Sequence, residues 1–371
     1  MALSPADKTR FRTAAALTCV LAATLTLGAC ASQPGSGGTT PSNAAVDADA
    51  CQRNKDAGTI TYISGYGYSA SAGQLDVFLA QQLGYFKELC LDVEINASGA
   101  NGQQLVASGQ AQFTALGSAS DVMLAAANSK NLTAVATYGT TPPFSIFGNE
   151  KLKSLKDLEG GSLGYFINLT PIASAMLDSA GVDASKVEMI KMTNYDPTVV
   201  VRDQVDAIVG YASNQPEALR AAKQPFSEFL PADLGVKGTY NVMEVNSRFL
   251  AEHREVAADF MRASLKALRY CLDESDACID TLAKLAADNN QGAAFPRDQL
   301  ARTWAVESEW VRTSAGGNPG VQTEKMWEPE YALVQKYGDA KKLPAIADMM
   351  DTKLVTGLYD GDTLIWPEAK K

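Results

Sequence analysis

From Thr59 onward, short apolar runs alternate with segments whose apolar residues recur at helical spacing. Thr59 to Ser64 is rich in β-branched residues and predicts a strand, followed by the turn Gly65-Tyr66-Gly67-Tyr68-Ser69. Gln74 to Phe86 predicts a helix, with Leu75, Phe78, Leu79 and Leu83 on one face. Strands are predicted over Leu91–Ile95, Phe113–Leu116 and Leu132–Tyr138, with helices over Gly102–Ser108 and Asp121–Ala127 between them. Such alternation implies a parallel sheet with helices packed on its faces.

The pattern breaks at Gly139-Thr140-Thr141-Pro142-Pro143 and then resumes. Further strands are predicted over Ser162–Tyr165, Val187–Lys191 and Ala207–Tyr211. Helices are predicted over Ile172–Ser179, after Asp196-Pro197, and over Gln215–Lys223. Thr170-Pro171 supplies an N-cap residue followed by a proline at the first helical position. Beyond the strand Val242–Val245 the chain reads as mostly helical. The expectation is two α/β halves, residues 58–140 with 241–371 and residues 141–240, with a helical C-terminal region. The chain would cross between them near Tyr138–Ile146 and again near Lys237–Val245, and two crossings make a hinge.

The N-terminus changes the picture from a plain globular protein to an exported one. Lys8, Arg10 and Arg12 precede an apolar stretch from Ala14 to Leu27, too short for a comfortable membrane span. Leu27-Gly28-Ala29-Cys30 then resembles a bacterial lipobox. Residues 1–29 are expected to be a lipoprotein signal peptide, with the mature chain starting at a lipidated Cys30. An ordinary secretory signal with a chance cysteine is the other reading. Residues 30–57, rich at first in Ser, Gly, Pro and Thr, are expected to form a flexible tether. The protein would sit in the cell envelope, on the outer face of the cytoplasmic membrane, as a monomer. A net charge of −10 argues against nucleic acid as a partner.

Of six cysteines, Cys19 leaves with the signal and Cys30 carries the lipid, which leaves Cys51, Cys90, Cys271 and Cys278. An even number suits an oxidising compartment. Cys51 and Cys90 each precede a predicted strand, and neighbouring parallel strands begin at one sheet edge, so these two are expected to pair. Cys271 and Cys278 flank an acidic stretch between two helical runs and are expected to staple that corner. Free buried thiols are the alternative. No metal or cofactor is expected, because the one histidine, His253, lies in a charged Glu-His-Arg-Glu stretch that reads as an exposed helix face.

Candidate chemistry gathers at the carboxyl ends of the strands, where helix N-termini point N–H groups at a ligand. Three turns there carry small polar residues: Gly67 to Ser71 with Tyr68, Ser69 and Ser71; Gly117 to Asp121 with Ser118 and Ser120; and Phe166 to Thr170 with Asn168. For Thr170 and Asp121 alone, helix capping explains the residue as well. Tyr66, Tyr68, Tyr138, Phe166, Tyr195 and Tyr211 lie near the same ends, where they could stack on a flat ligand or serve as packing. Gly65-x-Gly67-x-x-Ala70 also fits a dinucleotide fingerprint, but the acidic Asp92 and Glu94 come late for a ribose contact. No Ser-His-Asp or Cys-His arrangement is visible, so no catalytic residue is assigned.

Gly84-Tyr85-Phe86-Lys87-Glu88 with Leu91 to Ile95 resembles a signature of the substrate-binding proteins for nitrate, sulfonates, taurine and thiamine-pyrimidine precursors. Leu105 to Phe113, Ser154 to Gly160, and Gln204 to Ala207 with Gly210 to Pro216 resemble three further motifs of that family, in order. The last is similar to the pyrimidine-precursor branch. The resemblance runs from about Thr59 to Phe249 and implies a two-lobed type II periplasmic-binding-protein fold that closes on a small molecule. It implies an ABC permease and ATPase as partners, and it adds Tyr211 and Asn214 to the ligand shell. Cys90 stands where the family has Gly, and Gln215 where it has Glu. The expected ligand is a heteroaromatic such as a thiamine pyrimidine precursor. The alternatives are a sulfonate, taurine or nitrate carrier, an exported enzyme acting on a heteroaromatic compound, and a sensory lipoprotein.

Overall fold

The computed structural model describes residues 44–97, 101–129, 131–194, 196–313, 317–340 and 342–367. Cys30, the signal sequence, the tether as far as residue 43, and Tyr195 lie outside the described residues. The remainder of the expected tether is not one. Ala48–Asp56 forms helix α1, capped by Asp47, whose side chain accepts from Ala50 N at 2.9 Å. Cys51 and Asn54 are buried on it, and Asn54 donates to Leu89 O and to Asp259, in chain segments far away in sequence. Those long-range partners, invisible in local composition, are what order the segment.

The first sheet takes β1 (Thr59–Ser64), β2 (Asp92–Asn96), β3 (Phe113–Leu116), β4 (Leu132–Gly139) and β10 (Tyr240–Asn246), in the order β2-β1-β3-β10-β4. The second takes β5 (Phe144–Gly148), β6 (Ser162–Tyr165), β7 (Glu188–Lys191), β8 (Ala207–Tyr211) and β9 (Ser227–Phe229), in the order β7-β6-β8-β5-β9. Neither is wholly parallel, which corrects the sequence expectation. β10 runs against β3 and β4, and β5 against β8 and β9. The reason lies in the crossings. Each of these strands arrives directly from the other sheet, so it starts at the carboxyl ends of its new neighbours. The pairs Gly139–Tyr240 and Phe144–Tyr211 mark these two entry points.

Between the strands lie α2 (Leu75–Gln82), α3 (Tyr85–Glu88), α4 (Gly102–Ser108), α5 (Ala119–Ala126), α6 (Pro171–Ser179), α7 (Thr198–Val201) and α8 (Gln215–Ala221). The single helix expected over residues 74–86 is broken by Gly84, whose φ of +80° suits a residue without Cβ. The C-terminal part adds α9 (Ser247–Glu252), α10 (Arg254–Asp273), α11 (Ser275–Asp288), α12 (Arg297–Arg312) and α13 (Glu324–Tyr337). Phe260, Leu265 and Leu268 of α10 and Trp304 of α12 bury into the core of the first lobe. α13 does not belong to that lobe alone. Trp327 and Val334 pack with Ala119, Val122 and Met123 of α5, while Leu333 and Tyr337 pack on the second lobe around Met176 of α6.

Both expected disulfides are present, Cys51–Cys90 beside the paired starts of β1 and β2 and Cys271–Cys278 at the α10–α11 corner. Cys90 has φ +57°, a backbone state that favours Gly and costs an L-residue about 1–2 kcal/mol. That accounts for the family's Gly at this position and shows the strain against which the bridge is set. Closing a longer loop removes more unfolded-state entropy. Replacing Cys51 and Cys90 by Ala should therefore cost about 4 kcal/mol for a separation of 39 residues. Replacing Cys271 and Cys278 should cost about 2 kcal/mol for a separation of 7. Denaturant titrations of the two double variants check the order, and Cys90→Gly in place of Cys90→Ala should recover part of the first loss.

Candidate functional site

Four strand-to-helix turns converge where the carboxyl ends of the two sheets face each other. β1 leads through residues 65–74 into α2, and β3 through Gly117 and Ser118 into α5. From the second lobe, β6 leads through residues 166–170 into α6, and β8 through residues 212–214 into α8. The closest approach is at Gly117. A Cβ there would collide with the phenol oxygen of Tyr211 and stand 3.1 Å from that of Tyr66 and 3.4 Å from Asp121 Oδ2. Tyr211 thus reaches from the second lobe onto the backbone of the first. Its ring lies 6.1 Å from Tyr66 and meets Phe144 edge-on at 5.1 Å. Two phenols and a carboxyl therefore meet at one glycine between the lobes.

Carboxyl groups, four of them buried and Asp121 half-buried, lie at this seam and in the first lobe behind it. Glu307 of α12 accepts from Ser71 Oγ at 3.2 Å, from Ser213 Oγ at 2.6 Å and from the Tyr240 hydroxyl. Glu330 of α13 accepts from Ser120 N and Oγ and from Thr239 N and Oγ1, at 2.5 to 2.8 Å. Asp121 closes a capping box with Ser118 at the start of α5. Glu244 of β10 takes a hydrogen bond from Gln103 Nε2 at 3.1 Å, and Asp76 of α2 one from the Tyr138 hydroxyl at 3.2 Å. Among the described residues no Lys or Arg pairs with any of these five. For Asp76, Asp121, Glu244 and Glu307, burial without a cation favours the neutral acid. It pushes Asp121 up to about 6, with Glu330 adding to the shift. It pushes Asp76 and Glu307 up to about 7 and Glu244 up to about 8.

Several polar atoms near this region are buried without a hydrogen-bond partner: both side-chain polar atoms of Gln74, Asp76 Oδ1, the Tyr211 hydroxyl, Asn241 Oδ1 and Glu244 Oε1. Buried polar atoms are normally satisfied, so a group of unpaired ones is a feature that needs a cause. Asn241 and Ala72 are joined by a 2.7 Å hydrogen bond, and Asn241 N donates to Gly117 O, which places Asn241 beside both turns of the first lobe.

The residues singled out from the sequence divide into two groups. Tyr66, Tyr211, Ser71, Ser118 and Ser120 come together at or next to the seam, and Ser69 is hydrogen-bonded to Ser71 at 2.9 Å. Tyr68 turns inward instead, stacking on Phe78 at 4.9 Å and meeting Phe295 edge-on. Tyr138 is fully buried with its hydroxyl on Asp76. Phe166 packs against the cluster around Val199 and Val200 of α7. Asn168 is exposed beside Ile167, whose φ of +49° is unusual for a β-branched residue. Thr170 caps α6, accepting from Ala173 N. Asn214 accepts from Gln299 Nε2 at 3.0 Å, and Gln215 folds back to accept from Tyr211 N at 2.8 Å.

Sequence reasoning missed Glu307, Glu330, Asn241 and Gln74. One signal for the first was available: Glu307 interrupts the apolar face formed by Leu300, Trp304 and Val311, and a charge on such a face is an inconsistency that marks a buried partner.

The two sheets, their exchanged strands and the facing carboxyl ends define a protein of the periplasmic-binding-protein fold. The chain belongs to the NMT1/THI5-like family, whose model matches residues 73–277, more than half its length. It is 27% identical over 282 residues to the formylaminopyrimidine-binding protein of Halalkalibacterium halodurans, covering 73% of this chain and 83% of that protein. It is 27% identical over 168 residues to the riboflavin-binding protein RibY of Chloroflexus aurantiacus, covering 44% of this chain and 48% of that protein. The solved periplasmic sulfonate-binding protein SsuA of Methylobacillus flagellatus superposes with a TM-score of 0.59 at 15% identity, over 81% of this chain and 93% of its own. Among the described residues no helix is long and apolar enough to cross a membrane.

The raised carboxyl groups set a pH dependence. An unfolded glutamic acid titrates near 4.5, whereas folded Glu244 titrates near 8. Between those values the folded state holds a proton that the unfolded chain has released, so stability is greatest at the acid end and falls as pH rises. Glu244→Gln cannot ionise. It should melt above the wild type at pH 8, and the gap should shrink towards pH 5. Melting curves at the two pH values check this, and a gap independent of pH would overturn the assignment.

Proposed function

We propose that this protein is the solute-binding component of an ABC importer. Lipid on Cys30 holds it to the outer face of the cytoplasmic membrane, and it carries a flat heteroaromatic molecule of the aminopyrimidine kind to its permease. The observation that carries this reading is the Tyr66–Gly117–Tyr211 seam, with Asp121 beside it. Two phenol rings from opposite lobes offer faces for a ring to stack on and hydroxyls to orient it. The chemistry of the surrounding acceptors points the same way. The unpaired Asn241 oxygen beside both turns of the first lobe, and the Asp121 carboxyl at Gly117, suit a partner with N–H donors. Among the described residues no Lys or Arg pairs with the carboxyl groups of the seam, so no cation there is placed to hold a sulfonate or nitrate. The formylaminopyrimidine-binding relative, named for binding a ring compound, supports a ring ligand.

The mechanism is closure. Ligand settles on one lobe, the other completes its contacts, and the closed population rises by the difference in affinity between the two states. The two crossings between the sheets, at residues 140–143 and 230–239, are short enough to act as a paired hinge.

A thermal-shift panel tests the ligand class, on protein starting just after Cys30. It holds aminopyrimidines, riboflavin, taurine, alkanesulfonates and nitrate. A true ligand at about a hundred times its dissociation constant should stabilise the fold by roughly 2.7 kcal/mol, a shift of a few degrees. A response to ring compounds supports the reading. A response to anions alone would replace it with the sulfonate or nitrate alternative, and ligand recovered chemically changed would make the protein an enzyme. Tyr211→Ala should weaken binding of the responding ring compound by roughly 1–3 kcal/mol, while Tyr211→Phe, which keeps the ring, should lose less. Separately, Cys30→Ala should move the protein from the membrane fraction into the soluble fraction.

A further inference from the structure

Helix α12 sits with one side on the first lobe and one on the second. Leu300, Trp304 and Val311 are buried in the core of the first lobe, and Trp304 Nε1 donates to Cys271 O at 3.0 Å. Gln299, Thr303 and Glu307 follow at intervals of four in a neighbouring row that runs onto the apolar face at Glu307. All three meet the loop after β8 in the second lobe. Gln299 Nε2 donates to Asn214 Oδ1 at 3.0 Å, Thr303 Oγ1 donates to Ser213 O at 3.1 Å, and Ser213 Oγ donates to Glu307 at 2.6 Å. Glu307 simultaneously holds Ser71 and Tyr240 of the first lobe. Both Ser213 and Glu307 are buried, so these bonds are made out of water and are costly to leave unmade.

The geometry points to α12 as a strap that closes the lobes, with Glu307 as the positioning residue that ties the loop bearing Tyr211 and Asn214 to the turn bearing Ser69 and Ser71. One carboxyl group bridges two of the four turns at the seam, and it reaches them from a helix that contributes nothing to either sheet. Opening the lobes separates Ser213 from Glu307 and leaves a buried acceptor with two donors instead of three. The strap therefore biases the lobes towards the closed arrangement before any ligand arrives, and it sets how far apart Tyr66 and Tyr211 stand. The consequence for binding rests on the proposed function, but the bias itself does not.

The test uses the ligand-free protein, so it is independent of which molecule binds. Small-angle scattering reads compactness, and hydrogen exchange reads residues 211–215 against the remaining strands. Ser213→Ala removes the second-lobe end of the bridge without touching the first-lobe core. It should raise the radius of gyration and speed exchange in residues 211–215 by about tenfold, the effect of one lost hydrogen bond to a carboxyl group. Exchange in β1, β3 and β6 should stay as in the wild type. Glu307→Ala should open the lobes further, and Glu307→Gln, which can still accept from Ser213, should stay near the wild-type profile. If Glu307→Ala does not fold, Ser213→Ala and Glu307→Gln decide. Unchanged scattering in Ser213→Ala, or faster exchange spread evenly over both sheets, overturns the strap.

Discussion

The return of β10 is the constraint on which the rest of the structure depends. This strand is buried along its whole length and lies between β3 and β4 in the first sheet. Yet it follows the entire second lobe in the chain. The first sheet is therefore incomplete until the chain has left, built the other lobe and come back. Because β10 comes back at the carboxyl ends of β3 and β4, it runs antiparallel to both, and its first residues, Tyr240 and Asn241, lie beside the turns that face the second lobe. The seam at Gly117, the bridge at Glu307 and the acceptor at Glu244 all rest on that one placement.

Around it the molecule keeps an unusual number of acidic groups out of water with hydroxyl, amide and backbone donors rather than cations. Such groups are expensive to bury unless they are neutral or well bonded. Glu330 is fully bonded, by two N–H groups and two hydroxyls, and serves structure by joining the start of α5 to Thr239. Glu307 has three donors from both lobes. Glu244 and Asp76 each keep one oxygen without a partner. That gradient, from satisfied to unsatisfied, separates residues that hold the fold from those left with capacity for something else.

Much of the fold was legible in the sequence because short apolar runs and helical spacing are local. Phe113–Leu116, Ser162–Tyr165 and Ala207–Tyr211 are strands with the boundaries read from the sequence, and Gly102–Ser108 is a helix that ends at Gly109. The pairing of Cys51 with Cys90 was legible for the same reason, through the shared edge of two parallel strands. The site was legible only in part. Serines and tyrosines at strand ends mark where a cleft lies, but a tyrosine facing a cleft and one facing a core look alike in sequence. Tyr66 and Tyr211 meet at the seam, whereas Tyr68 and Tyr138 fill the interior.

What the sequence by itself determined is the alternation of elements, the two crossings, the disulfide partners and the family. Each depends on residues near one another in the chain or on a motif in fixed order. Only the tertiary structure decided the direction of β5 and β10, the order in α1, the sharing of α13 between lobes, and the carboxyl groups that reach the seam. These depend on which distant segments meet. Glu307 stands 94 residues from Ser213 and 236 from Ser71, so no local pattern records that both hydroxyls donate to its carboxyl group. The physical reason is that secondary structure follows short-range sterics and periodicity, whereas burial of a charge is settled only by the partners that the completed fold places around it.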